Sequence, residues 1–327
     1  MPDFKSQFNW PPVGQDRVSA FLEKSLLSGN MAQAYIFAGP KDLGKASLAL
    51  AFARNLWLCD RGSSDPNGSF EHVNSDLYIL EKEADKKQIG VEQARDFIKR
   101  LSLSSFLNSY KIGIVKEAEC LSAEAQNALL KTLEEPREQV IVILLTEQIE
   151  SLLPTIVSRS QVLYFYPVAG AAVYDYLLAE LDIKRSLAKE LAAASLGRPL
   201  QARKWAEKPE DYDEYTKLLE KMFVFLHSDL GERLSLIDSA GNNGSLSAET
   251  ALAWIDILES LWRDALLLSL GRDECLRYPA LSDNWREKIA LSPAAILDRL
   301  RRVLQARAYV QGFVNPRSVL ESLAIYF

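Results

Sequence analysis

Seven consecutive residues carry the spacing of a phosphate-binding loop: Gly39-Pro40-Lys41-Asp42-Leu43-Gly44-Lys45. Glycines let backbone N–H groups curl around phosphate oxygens, and a lysine beside a helix N-terminus adds positive potential. The G-x-x-x-x-G-K pattern needs a strand before it and a helix after it. The apolar run Ala34-Tyr35-Ile36-Phe37-Ala38 precedes the loop, and a helical pattern from Ser47 to Leu58 follows it. Hydrolysis needs a metal ion as well. A magnesium-holding loop follows its lysine with Ser or Thr, and here that residue is Ala46. Ser47 comes one residue too late, about 100° further round the helix. The second ligand should be an Asp at the end of a later apolar strand. The strand Ile112-Gly113-Ile114-Val115 runs instead into Lys116-Glu117-Ala118-Glu119. A lysine there repels a cation, and Glu117 has no held metal with which to polarise a water. Two ligands lost from one site predict a chain that does not hydrolyse ATP. Gly39, Gly44 and Lys45 leave nucleotide binding open, metal-free or weak, or absent.

The other residue with chemical reach is Arg159, in Leu153-Pro154-Thr155-Ile156-Val157-Ser158-Arg159-Ser160. In ring ATPases an arginine at a domain edge reaches the neighbour's γ-phosphate and stabilises charge in the transition state. From position alone a surface arginine in a salt bridge explains it better.

The elements that must position these residues alternate. Short apolar runs at 34–38, 112–115, 140–145 and 162–165 suit strands buried on both faces of a parallel sheet. Helical patterns separate them, with Ser122 to Leu133 ended by Pro136. The alternation predicts an α/β domain. Past Pro167 no convincing strand remains. Two short helices, 173–181 and 186–194, end at Gly197-Arg198-Pro199, and amphipathic helices follow from Pro209. Ser292-Pro293 and Asn315-Pro316 read as caps opening the last two, the former helix with Ile296, Leu300, Val303 and Leu304 facing inward. Asp60 to Ser69 and Gly241 to Ser247 read as loops. The expected organisation is an α/β P-loop domain over 1–167, a small helical lid over 168–208 and an all-α domain over 209–327.

Three stretches resemble the clamp-loader branch of the AAA+ ATPases. They are Gln33 to Pro40, Ala125-Gln126-Asn127-Ala128-Leu129-Leu130-Lys131-Thr132-Leu133-Glu134-Glu135-Pro136, and Leu153 to Arg159. A fourth, Asn315-Pro316-Arg317-Ser318-Val319-Leu320-Glu321-Ser322-Leu323, is similar to the last helix of a subunit in the bacterial DNA polymerase III clamp loader. The resemblance implies an AAA+ fold with a helical lid and an oligomerising collar. It implies a place at one end of an open ring beside gamma/tau and delta subunits. There Arg159, preceded by Ser158, would act in trans as an arginine finger, and the ring would load a sliding clamp on primer-template DNA during replication. The family's Ser-Arg-Cys reads Ser158-Arg159-Ser160, so the arginine is kept and the cysteine is not. Thr146 stands at the sensor position after the Val140–Leu145 strand, as in relatives. The lid's second sensor arginine is replaced by Leu200, and the histidine common before the first strand by Gln33. The family's four-cysteine zinc module is reduced to Cys59, so no zinc is expected and no cofactor is required.

Bulk properties bound these readings. The chain has 327 residues, 48% hydrophobic and 25% charged, with a net charge of −6 and a pI near 5.3. A free-standing nucleic-acid binder shows a basic excess, so contact with DNA should be local or shared with partners. The densest basic cluster, Arg299, Arg301, Arg302 and Arg307, reads as a solvated helix face. Cys59, Cys120 and Cys275 are too scattered for a disulfide framework. The N-terminus has no apolar signal core, and Asp256, Glu259, Arg263 and Asp264 interrupt the most apolar stretch. A cytoplasmic location away from membranes is expected. Two other readings stay open: an active gamma/tau-type ATPase, disfavoured by Ala46, Lys116 and Leu200, and a stand-alone nucleotide sensor.

Overall fold

A computed structural model describes residues 8–61, 76–83, 86–103, 110–134, 139–241, 246–278, 291–312 and 314–327. The expected stop at Pro136, most of the 60–69 loop and the centre of the 241–247 loop lie outside the described residues. The fold divides into two compact units, Met1–Arg203 and Lys204–Phe327.

The first unit is built on five strands: β1 (Ala34–Ala38), β2 (Leu77–Leu80), β3 (Lys111–Val115), β4 (Val140–Thr146) and β5 (Gln161–Tyr164). Their order is β2-β3-β4-β1-β5, and every pairing is parallel. All residues of β1, β3 and β4 are buried. This is why they read as unbroken apolar runs: helices cover both faces of the sheet. Alternate residues feed two cores. Tyr35, Phe37, Ile112, Ile114, Ile141, Ile143 and Leu145 pack with α1 (Asp16–Ser28) and α2 (Lys45–Arg61). Ala34, Ile36, Ala38, Val140, Val142 and Leu144 pack with α3 (Val91–Ser102), α4 (Ala123–Glu134) and α5 (Pro154–Val157). Gly113 lets α3 approach the sheet, since a Cβ there would meet Phe97 Cζ at 2.5 Å.

The register brings Ala38 beside Thr146 and beside Tyr164. The carboxyl ends of β4, β1 and β5 therefore lie together, and the chain leaves β1 for the far edge strand β2. Such a switch in strand order is where α/β sheets place ligands. Helices α6 (Gly170–Glu180), α7 (Arg185–Ala194) and α8 (Pro199–Glu207) follow.

The second unit holds α9 (Pro209–His227), α10 (Leu230–Ala240), α11 (Ala248–Ser269), α12 (Pro293–Gln311) and α13 (Pro316–Tyr326) around Met222, Phe225, Trp254, Leu258, Leu261, Val303 and Leu320. Ser292 accepts from Ala295 N, and Asn315 accepts from Arg317 N and Ser318 N, as the Ser-Pro and Asn-Pro signals predict. No described helix is long and apolar enough to cross a membrane.

Several expectations need correction. Helix α2 continues past Leu58 to Arg61, so the expected loop begins later. The chain does not stop being helical at Gly197-Arg198-Pro199, because Pro199 opens α8 as its first residue. Leu304 is 47% exposed, and Ala306 takes the inward place beside Val303. The basic cluster is largely consumed within the chain: Arg302 pairs with Asp298, and Arg307 with Asp256 and Glu259. Arg302 and Arg299 also lie over the rings of Tyr326 and Trp262.

Candidate functional site

Strand β1 delivers the chain into the phosphate loop, and helix α2 starts at Lys45. The loop is tied on three sides. Gly39 N donates to Thr146 O at 3.1 Å, Phe165 N donates to Ala38 O at 2.7 Å, and Leu200 N donates to Asp42 O at 3.2 Å. Gly39 has φ +149°, and a Cβ there would lie 2.3 Å from Phe165 O. Only glycine fits that approach.

Lys45 Nζ donates to Gly39 O at 2.5 Å and to Pro40 O at 2.7 Å, so the amine is bound by the loop's own carbonyls. Burial lowers its pKa, and the carboxylates of Glu147, Glu119 and Asp42 partly offset that. Glu147 is pushed up from the usual carboxylate range by desolvation, with Lys45 opposing. Ala46 and Lys116 both line the cleft beside the loop, a space of about 180 Å³. Lys116 Nζ sits 2.8 Å from Glu81 Oε2 on the segment after β2. Glu117 adopts a left-handed backbone with φ 50° and faces Lys82 at 3.9 Å.

The two positions at which a phosphate-loop site holds magnesium carry other chemistry here. A methyl group and an ammonium occupy the two ligand positions, and the carboxylate nearest that ammonium is already paired with it. Among the described residues no group of three or more His, Cys, Asp or Glu converges to hold a metal ion. Thr146 is buried at the end of β4. Its hydroxyl is engaged with the backbone of Gln148, donating to the carbonyl and accepting from the amide at 3.0 Å each.

Ser47 turns away from the cleft, as its helical offset predicts, and lines a larger cavity of about 350 Å³ on the other side of Gly44. Trp10, Val13, Arg54, Tyr176 and Arg203 also line it, and Leu200 borders both spaces. Its volume is at the lower end for small-molecule sites. Sequence reasoning missed this cavity. Its lining comes from segments far apart in the chain, and only the fold reveals that Arg203 lies one turn beyond Leu200 on the same helix.

Arg159 sits elsewhere. Pro154 opens the short α5, and Ser158-Arg159-Ser160 turns the chain into β5. Buried Gln126 on α4 anchors the approach: Oε1 accepts from Leu153 N at 2.8 Å, and Nε2 donates to Ser151 O at 3.1 Å and Leu121 O at 3.3 Å. Ser160 Oγ donates to Ile156 O at 2.8 Å, closing the turn without a cysteine. The Arg159 side chain is 39% exposed, with Nη2 2.9 Å from Glu134 Oε1. Nη1 donates to Thr155 O at 3.1 Å and to Ser158 Oγ at 3.4 Å. None of these partners lines the phosphate-loop cleft. The fold therefore brings Gly39, Gly44, Lys45, Ala46, Lys116 and Thr146 together, and leaves Ser158 and Arg159 apart from them at the start of the edge strand.

Residues 14–169 match the family model described as DNA polymerase III, delta subunit. Over 319 residues, covering 95% of each chain, the sequence is 27% identical to DNA polymerase III subunit delta' of Bacillus subtilis. It is 35% identical over 183 residues to subunit delta' of Pseudomonas aeruginosa, spanning 53% of this chain and 55% of that one. It is 29% identical to the gamma/tau subunit of Mycobacterium tuberculosis over 94% of this chain but 59% of that protein. The chain is thus similar over nearly its whole length to delta' and gamma/tau subunits of DNA polymerase III, and its parallel sheet carries a phosphate-loop sequence at the end of β1.

Proposed function

We propose that this chain is a non-hydrolysing clamp-loader subunit of the delta' kind, which lends Arg159 to the ATP site of a neighbouring gamma/tau subunit. Gamma/tau and delta subunits are its direct partners in this reading. The sliding clamp and primer-template DNA are met through the assembled ring, and no cofactor, zinc included, is required. The observation that carries the reading is the occupied ligand set: Ala46 and a Lys116 paired with Glu81 stand where a magnesium site needs a hydroxyl and a carboxylate. Arg159, by contrast, is exposed at the start of an edge strand. Its planar fork of donors suits a phosphoryl group losing its leaving oxygen. Magnesium-dependent ATPase of the purified chain alone tests the first half. The expected rate is indistinguishable from buffer. Turnover that disappears in Lys45→Ala would favour a gamma/tau-type enzyme.

The cavity beside Gly44 supports a second reading, in which nucleotide is held without turnover. Equilibrium binding of a fluorescent ATP analogue, with and without magnesium, separates the two. Binding that ignores magnesium fits the cavity, and no binding at millimolar nucleotide leaves the loop as scaffold alone. Gel filtration with gamma/tau and delta subunits from the same source tests the partners, and failure to co-elute would favour a stand-alone sensor.

A further inference from the structure

We infer that Glu134 is a latch that parks Arg159 in the resting subunit, so the finger reaches a neighbour's phosphate only by exchanging this carboxylate. The inference rests on the arginine-finger reading above.

The Arg159 guanidinium is folded back on its own chain. One terminal nitrogen faces Glu134 at 2.9 Å, and the other donates to Thr155 O, four residues earlier, at 3.1 Å. In this pose two edges of the fork are in use. A bidentate grip through the terminal nitrogens competes with these contacts, so the parked pose opposes full engagement. Glu134 is the last residue of α4. A carboxylate there faces the negative end of the helix dipole, so helix stability does not call for it. Arg159 supplies the compensating charge.

The strength of the latch suits a device that must open. Both side chains are substantially exposed, Arg159 39% and Glu134 46%, and such pairs are weak and salt-screened. A triphosphate offers more charge and a geometry matched to the fork. The parked state lowers the competent fraction of the finger without blocking it, and apparent engagement falls in proportion to that fraction. Gln126 holds α4 and the α5 approach together, so latch and finger keep a fixed relation while the side chain moves.

The test is a double-mutant cycle in the loader assembled with gamma/tau and delta, reading ATP hydrolysis before clamp or DNA is added. Glu134→Gln keeps the shape and removes the charge. It should raise this resting rate about two- to fivefold, the range of an exposed ion pair. In an Arg159→Ala background the same substitution should change nothing, a result that a merely structural role for Glu134 would not give. A resting rate that is unchanged or lowered by Glu134→Gln overturns the latch, and so does an equal rise in the Arg159→Ala background. If Arg159→Ala slows the loader while Glu134→Gln does not speed it, the latch alone fails. If Arg159→Ala is itself silent, the finger reading fails with it.

Discussion

The phosphate-loop cleft and the Arg159 turn lie at ends of the same parallel sheet, yet they have opposite characters. In the cleft the groups best placed to meet a phosphate are engaged by their surroundings. Lys45 is held by loop carbonyls, Lys116 by Glu81, and the Thr146 hydroxyl by the backbone of Gln148. At the turn the scaffold is fixed by Gln126 and Ser160, while the arginine it presents is exposed and weakly held. In the proposed reading the first region serves as architecture. The other keeps a charged group that can be redirected. A phosphate loop is thus poor evidence for catalysis on its own, because its glycines serve the fold as well as a ligand.

The contrast breaks most visibly at Arg159. In the assembled loader, Arg159→Ala should lower single-turnover hydrolysis at the one adjoining site by ~10³. The summed steady-state rate falls less, since other sites still turn over. Rapid-quench measurement reads the adjoining site, and a loss below tenfold there would dissolve the contrast.

Next in size is a change to the loop as architecture. Gly39→Ala places a methyl against Phe165 O and should cost about 1–3 kcal/mol in urea unfolding of the chain alone. A neutral result would mean that the glycine is not structural. The missing ligands can then be returned. Ala46→Thr with Lys116→Asp should tighten ATP binding about tenfold only when magnesium is present, the scale of one good charge-assisted contact. Calorimetry with and without magnesium checks this, and an equal gain in EDTA would show that charge alone was limiting. The smallest effect belongs to Lys116→Ala. Its ion pair with Glu81 is exposed, so thermal unfolding should register less than about 1 kcal/mol. A larger loss would make Lys116 a structural residue rather than a lost ligand.

Much of the α/β unit was legible because buried parallel strands leave unbroken apolar runs. β1, β3, β4 and β5 all fall within a residue of their patterns. β2 was not: it has four residues, sits at an edge and leaves Ile79 exposed. Helix α3 carried a readable stripe, Ala94, Phe97 and Leu101. A reading that moved from motif to motif passed over it, as it did α1. Helix α10 buries little besides Ile237, but Asp229 followed by Glu232 is a capping signal, and Asp229 does accept from Glu232 N. The identities of Ala46 and Lys116 after the loop lysine and the third strand were legible, because they depend only on residue type at fixed spacing. The Glu134 contact and the cavity shared by Trp10, Arg54 and Arg203 were not. They join residues whose proximity exists only once the chain is folded.

The claim that the chemistry resides in Arg159 and not in this chain's own cleft is tested most directly by one paired measurement. ATP hydrolysis by the loader, stimulated by clamp and primed DNA, is compared for Arg159→Ala and Lys45→Ala in this subunit. The account predicts that Arg159→Ala slows the adjoining site by orders of magnitude while Lys45→Ala stays within about twofold, since Lys45 serves only loop carbonyls. A loader slowed by Lys45→Ala and untouched by Arg159→Ala would contradict it.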